Sequence, residues 1–149
     1  MAAFRYAYQS IVNLKQSETT QAEWGLSAAL GQLKAEEMSL EELRSERRRW
    51  EEKLIRQGER GSTLDELQQI QHFIRHLDKT ICLKEKKVQE AEKEVDQSRT
   101  ILSERKVQEK IWMRSKEKAW QKFKSALLAG EQAELDEIAV QRHARMAQS

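Results

Sequence analysis

An apolar pattern runs through the second half of the chain, in which spacings of three and four residues alternate without interruption. This seven-residue period places one seam of side chains against a partner helix, as in a left-handed coiled coil. Polar residues, among them Lys84, Ser98, Arg105 and Glu109, interrupt the seam, so we do not expect it to be equally tight along its length. The seam consists of Leu67, Ile70, Ile74, Leu77, Ile81, Lys84, Val88, Ala91, Val95, Ser98, Leu102, Arg105, Glu109, Trp112, Lys116, Ala119 and Phe123.

The composition permits helices of this length and excludes several classes of protein. The chain has no proline among its 149 residues, so no residue removes a helical N–H or clashes with a preceding turn. Its longest apolar run is four residues, 126–129, whereas a membrane-spanning helix needs about 20. With 35% charged residues, the chain cannot build the wide core that surrounds a deep catalytic pocket.

The first half of the chain repeats the pattern less regularly. Leu26, Leu30, Leu33 and Leu40 form one stripe, and Leu43, Trp50 and Leu54 continue it after a three-residue slip near Leu40. Towards the N-terminus the seam becomes small and polar at Lys15, Glu18 and Ala22, then apolar again at Phe4, Tyr8, Ile11 and Leu14.

A glycine-containing segment, 57–63, separates the two halves. Gly58 is suited to a left-handed helix C-cap. Thr63 with Glu66 has the spacing of a capping box, and Ser62 with Asp65 is an alternative. We therefore predict one domain, 1–149, with a helix over about 3–57, a turn at 58–62, a helix over about 63–128, and a helical tail over about 131–147 after a break at Gly130.

The short turn predicts that the two helices are antiparallel neighbours. The numbers of facing residues then add up to roughly 121, and apolar residues face one another along the pair. Residues beyond about 120 extend past the N-terminus as an overhang. The fold class is all-α, a long two-helix antiparallel coiled-coil hairpin with a C-terminal helical overhang. The expected pairs are Leu54–Leu67, Leu43–Leu77, Leu40–Ile81, Leu33–Val88, Leu30–Ala91, Leu14–Val107, Ile11–Ile111 and Tyr8–Trp112.

Several local patterns have an ordinary structural interpretation. His72 and His76 have a spacing that can chelate a metal, but no third ligand is in register, so we expect no metal site. The Arg-rich segment 44–49 is bracketed by glutamates at helical spacing, which indicates a salt-bridged, solvated face. No glycine-rich phosphate loop is present. We expect a protein that is not an enzyme and has no cofactor or small-molecule substrate.

Charge is unevenly distributed, although the net charge is only +2. Segment 105–124 contains eight basic residues and two acidic ones, with Trp112, Trp120 and Phe123 among them. Aromatic rings among cations can bind single-stranded nucleic acid. Trp112 and Phe123 lie on the seam, however, so we interpret them as packing residues and expect an acidic protein partner rather than nucleic acid.

Two aromatic residues indicate a protein-binding surface near the turn. Phe73 lies one residue off the seam, so its ring should reach the flank of the hairpin. Trp50 is too large to be buried fully between two helices. Partly exposed rings on a thin hairpin are typical anchors of a protein interface.

The chain resembles the FliJ family of flagellar export proteins. The resemblance rests on the opening Phe4-x-Tyr-x-Tyr-x-x-Ile, on the segment 67–77 after the turn (LQQIQHFIRHL), and on the closing Asp136-Glu137-Ile-Ala. It covers nearly the whole chain and agrees with the length and the position of the turn.

This resemblance implies a cytoplasmic protein, peripheral at the inner face of the cell membrane, that belongs to the bacterial flagellar type III export apparatus. The implied partners are the export ATPase hexamer, the cytoplasmic domain of the membrane export gate, and export chaperones. The family's gate-binding patch corresponds here to Leu43, Trp50, Phe73 and Leu77.

Two other functions remain compatible with the residues alone. One is a generic structural coiled coil, which would self-associate, whereas a stalk-like hairpin would be monomeric by itself. The other is a nucleic-acid- or ribosome-associated rod that uses segment 105–124. A domain-swapped dimer would bury the same seam as the hairpin.

Overall fold

The computed structural model describes residues 3–148, and within that range the chain is an all-α hairpin without β-strands. Helix α1 spans Gln9–Arg60 and helix α2 spans Leu64–Gln148. The two helices pack against each other, as the seam predicts. Contacts divide the described residues into two units. We call residues 21–103 the turn unit, and residues 3–20 with 104–148 the terminal unit.

The turn unit is packed along the predicted seam of α2. Its buried residues on α2 all occupy predicted seam positions: Ile70, Ile74, Leu77, Ile81, Val88, Ala91 and Val95. Leu40 of α1 joins Ile81 and Val88 in one cluster, with Leu33 and Leu43 packed against it. The α2 register is therefore confirmed in this unit.

The α1 seam differs from the prediction at Leu30. Ala29 is 9% exposed and Leu30 is 40% exposed, so the smaller residue lies in the seam. The seam continues through the half-buried Glu36 to Leu40 and Leu43 in unbroken steps of three and four. The predicted slip near Leu40 was wrong. It arose from following the most apolar side chain, whereas the helix geometry keeps a constant register.

The turn is capped by Gly61, and the prediction of Gly58 was wrong. Gly61 has φ of 79°, and the N–H of Ser62 donates to the carbonyl of Gln57 over 3.1 Å. This is the six-to-one hydrogen bond of a Schellman motif. The N–H of Glu66 lies 3.4 Å from the hydroxyl of Thr63, which makes Thr63 the N-cap of α2 as predicted. The Glu66 carboxylate accepts instead from the Ser62 hydroxyl at 2.8 Å.

The terminal unit begins with a non-helical segment, residues 3–8, and so α1 starts later than the predicted residue 3. The Tyr8 carbonyl accepts the first helical hydrogen bond, from the N–H of Val12 at 3.1 Å. Val12 is the most buried side chain, at 1% exposed, whereas Leu14, Val107 and Ile111 are each 54% exposed. The expected Leu14–Val107 and Ile11–Ile111 pairs therefore do not form a buried seam.

Helix α2 runs through Gly130 to Gln148 without interruption. The predicted break at Gly130, with a separate tail, was wrong. A single glycine costs only about 1 kcal/mol relative to alanine in a helix, which is too little to end one that contains no proline. Residues 124–148 are all exposed.

Candidate partner-binding surfaces

A half-exposed aromatic pair marks one surface of the turn unit. The ring centroids of Trp50 and Phe73 lie 4.6 Å apart, with the planes at 50°. Trp50 occupies a seam position and Phe73 lies one residue before the seam residue Ile74, so the two rings meet at the flank of the helix pair. The Lys53 ammonium lies 4.6 Å from the centre of a Trp50 ring, in cation–π range. We call Leu43, Trp50 and Phe73 the Trp50–Phe73 patch.

The four residues of the predicted gate-binding patch do not all reach the surface. Leu43, Trp50 and Phe73 are half-buried, so each presents part of its side chain to solvent. Leu77 is only 4% exposed and lies in the seam. Leu77 can therefore support the patch from beneath but offers almost no area to a partner. The role of these residues in gate binding stays a prediction.

Ion pairs neutralise two arginines near this patch. Arg47 forms ion pairs with Asp78 and with Glu51, the latter at 3.1 Å. The hydrogen bond from Arg47 to Asp78 is the main reason that the pKa of Arg47 is raised. Arg44 pairs with Glu85 on α2 at 3.2 Å. The salt-bridged face predicted for segment 44–49 is confirmed at Arg44, Arg47 and Arg48, although some partners lie on α2.

A lysine–glutamate pair occupies the seam of the turn unit. The Lys84 ammonium donates to the Glu36 carboxylate at 2.9 Å, and both side chains are largely buried. This hydrogen bond is the main reason that the pKa of Glu36 is lowered. The sequence identified Lys84 as an interruption of the seam but gave no sign of its partner.

Aromatic residues hold the N-terminal segment against α2 in the terminal unit. Phe4 packs edge-to-face on Trp120 at 5.2 Å and lies 5.4 Å from Phe123. Tyr8 lies 5.9 Å from Trp112, which confirms the expected pair. The hydroxyls of Tyr6 and Ser115 share a hydrogen bond of 2.6 Å. Trp112 and Phe123 are therefore packing residues, as the seam predicts.

The cations of segment 105–124 differ from Arg44 and Arg47, which are paired with acidic residues. Arg105 lies 3.8 Å from Glu18. Within residues 3–148 the other basic residues of the segment form no ion pair, and all except Lys116 are exposed. These residues are Lys106, Lys110, Arg114, Lys116, Lys118, Lys122 and Lys124. The segment therefore presents uncompensated positive charge next to the half-exposed ring of Trp120.

The exposed end of α2 adds an apolar component to the terminal unit. Leu127 and Leu128 are followed by Leu135, Ile138 and Val140, and each is more than 40% exposed. The acidic residues of segment 131–137 lie on the same stretch. This part of the helix presents both apolar and charged side chains to solvent.

Residues 3–148 contain neither a metal-binding cluster nor a membrane-spanning helix. No three of the His, Cys, Asp and Glu side chains in that range lie close enough to hold a metal ion. His72 and His76 are exposed on α2, and Cys82 is an exposed free thiol. Neither of the described helices is long and apolar enough to cross a membrane.

Comparison with known proteins identifies the family. The family model described as "Flagellar FliJ protein" matches residues 4–148. A relative named "Flagellar FliJ protein" from Bacillus subtilis (strain 168) is 24% identical over 140 residues, which cover 94% of this chain and 95% of the relative. No solved structure gives a significant match. Since the family model covers nearly every described residue, the chain belongs to the FliJ family of flagellar proteins.

Proposed function

We propose that this protein, a flagellar export component by its family, is a non-enzymatic, stalk-like coiled coil. In this proposal its terminal unit binds the hexameric export ATPase and its Trp50–Phe73 patch binds the cytoplasmic domain of the membrane export gate. The family match over residues 4–148 carries the proposal. Two surfaces of different chemistry, one in each unit, support it, because they could serve two different partners.

The terminal unit is suited to a partner with acidic surfaces. Its unpaired cations can form charge-assisted hydrogen bonds with carboxylates without first breaking ion pairs within the chain. The exposed end of α2 offers apolar side chains for the same partner. We therefore assign segment 105–124 and the following residues to the ATPase ring, where the protein would act as a regulator of ATP hydrolysis.

The first experiment measures ATP hydrolysis and hexamer formation by the cognate export ATPase, with and without this protein. We expect stimulation, and we expect it to be lost when residues 125–149 are deleted. A deletion that starts at 125 keeps Trp120 and Phe123, which pack on Phe4, so the remaining hairpin should stay folded. An unchanged ATPase rate with the full-length protein, using an ATPase shown to be active, would contradict this part of the proposal.

The Trp50–Phe73 patch is suited to a more apolar partner. Aromatic residues such as Trp are enriched among residues that dominate binding energy, and Arg44 and Arg47 near the rings are already neutralised by ion pairs. Binding at this patch should depend mainly on the burial of the two rings. We assign it to the export gate.

The second experiment measures the affinity of the gate's cytoplasmic domain for the double variant Trp50→Ala/Phe73→Ala. We expect the affinity to fall by at least tenfold, because truncation of a central aromatic residue commonly costs ~2 kcal/mol or more. Leu83→Ala is the matched control, since Leu83 is an exposed apolar residue of the same unit outside the patch. An unchanged affinity in the double variant would remove the gate from this surface.

In this proposal the protein is cytoplasmic and associates peripherally with the inner face of the cell membrane through the gate. It also binds export chaperones and so couples their delivery to the ATPase. Co-purification of an export chaperone with the purified protein tests that role. The proposed chaperone binding would be contradicted if no export chaperone co-purified with the full chain or with its complex with the ATPase.

A further inference from the structure

One surface of α1 is apolar although it points away from the seam. Successive residues of an α-helix are rotated by about 100°, so residues two apart lie on roughly opposite sides. Trp24 is two positions from the half-buried seam residues Ala22 and Leu26, and therefore lies opposite the seam. Trp24 is 69% exposed and Met38 is 57% exposed. We call this surface of the turn unit the Trp24 face. Its residues, spaced by three and four, are Gln21, Trp24, Ala28, Gly31, Ala35 and Met38, and all are exposed.

The Trp24 face lacks the charge that covers the rest of the molecule. Ten consecutive residues, 24–33, carry no charge in a chain of which 35% is charged. Depletion of charge together with enrichment of Trp and Met is the composition of an interface core. A narrow uncharged stripe along one side of a helix is suited to packing against another helix.

The order of residue sizes along the face is self-complementary. In heptad notation, Gln21, Ala28 and Ala35 are a positions, and Trp24, Gly31 and Met38 are d positions. In an antiparallel coiled coil, each a residue of one helix packs beside a d residue of the other. When two copies of α1 pair in this way, Trp24 of each lies beside Ala35 of the other, and Ala28 lies beside Gly31. Gln21 lies beside Met38. Every large side chain therefore meets a small or flexible one.

The flanking residues permit the same arrangement. In that register Lys34 of one copy lies beside Ser27 of the other, and Gln32 lies beside Gly25. No like charges oppose each other, so pairing carries no electrostatic penalty. A partner helix with the usual charged surface would bury its charges against an uncharged face, which is costly.

We propose that the Trp24 face binds the same face of a second copy of this chain, forming an antiparallel, two-fold symmetric dimer. The paired segment, residues 21–38, is about 26 Å long and would bury on the order of 1,000 Å² in total, at the lower end of specific interfaces. The dimer should therefore be weak and reversible, with a micromolar or higher dissociation constant. This inference uses neither the Trp50–Phe73 patch nor segment 105–124. It is compatible with a stalk-like hairpin that is monomeric at low concentration, because a dimer this weak dissociates into single folded hairpins.

Sedimentation equilibrium of the full chain tests the dimer. We expect the weight-average mass to rise with concentration from 17.5 kDa towards twice that value. Trp24→Glu and Gly31→Glu should each remain monomeric over the same range. A Cβ at Gly31 meets nothing within 4 Å in the hairpin, so Gly31→Glu should block the dimer while helicity and thermal midpoint stay at or above their wild-type values.

Ile55→Glu is the matched control, because Ile55 is 61% exposed on α1 but lies outside the Trp24 face. This variant should self-associate as the wild type does. A wild-type protein that stays monomeric at millimolar concentration would overturn the proposal. So would association that Gly31→Glu leaves unchanged, as expected of a domain-swapped dimer. Loss of a different protein's binding in Trp24→Glu, with the wild type monomeric, would assign the face to that protein and also overturn the dimer.

Discussion

Replacement of Leu77 by alanine tests whether this residue of the predicted gate-binding patch stabilises the fold by packing in the seam. Leu77 is 4% exposed and lies in the seam of the turn unit. The substitution removes about three buried carbon atoms, worth roughly 2 to 2.5 kcal/mol at ~0.8 kcal/mol each. Leu→Ala changes in cores cost about 2–5 kcal/mol depending on how far the cavity collapses. A seam between only two helices can collapse readily, so we expect a loss of roughly 2 to 3 kcal/mol.

Urea unfolding followed by circular dichroism at 222 nm measures this loss. With a typical slope of about 1–3 kcal/mol per molar urea, a loss of roughly 2 to 3 kcal/mol should lower the midpoint by roughly 0.7 to 3 M. Leu83→Ala is the matched control, since it is the same change on the same helix at a residue that is 61% exposed. We expect that control to change stability by less than about 0.5 kcal/mol. Equal, small losses in both variants would refute the packing of Leu77 described above.

Two further predictions concern the turn and the ion pair in the seam. Gly61→Ala should destabilise the hairpin by about 1 kcal/mol or more, because φ of 79° strains a residue with a Cβ. Gly58→Ala should instead stabilise the hairpin by roughly 0.5 to 1 kcal/mol, because Gly58 lies within the helix. Thermal unfolding measures both changes, and shifts of the same sign would contradict the prediction. The pKa of Glu36 is lowered from an ordinary value of 4.5, mainly by the hydrogen bond from Lys84. The ionised Glu36 carboxylate therefore stabilises the fold above pH 4.5, and this stabilisation is lost as the pH falls through the lowered pKa. Glu36→Gln should therefore be less stable than the wild type at pH 7 and equally stable well below that pKa, and a difference that persists in acid would show that the carboxylate charge is not responsible.

The register of α2 was predictable because it follows from local residue spacing alone. Every buried residue of α2 lies at a position that the heptad pattern assigned to the seam. Hydrophobicity was less reliable in α1, where Ala29 and Glu36 occupy seam positions and Leu30 is outside. Alanine and glutamate give weak sequence signals. Their places are fixed by packing against α2 and, for Glu36, by the ammonium of Lys84.

The turn and the N-terminal segment depended on interactions that a local pattern does not contain. Both Gly58 and Gly61 can adopt positive φ, so the sequence alone does not choose between them. The choice is made by the Ser62–Gln57 backbone hydrogen bond, which forms only when the helix continues to Arg60. Phe4 likewise gives no sign of leaving the helix until Trp120 and Phe123, more than 100 residues away, are close to it.

The two proposed partner surfaces differ in how many of their cations are already paired, and this difference makes them separable. In the turn unit, Arg44 and Arg47 are held by acidic residues of α2, so the Trp50–Phe73 patch offers mainly its aromatic rings, with the ammonium of Lys53 over Trp50. In the terminal unit, Lys110 and Lys118 are exposed cations without an ion pair among the described residues. Salt should therefore weaken contacts made by the terminal unit more than those made by the patch, because screening acts on charge and leaves apolar burial largely intact. Loss of one partner at high salt while the other stays bound is the behaviour that this division of charge requires.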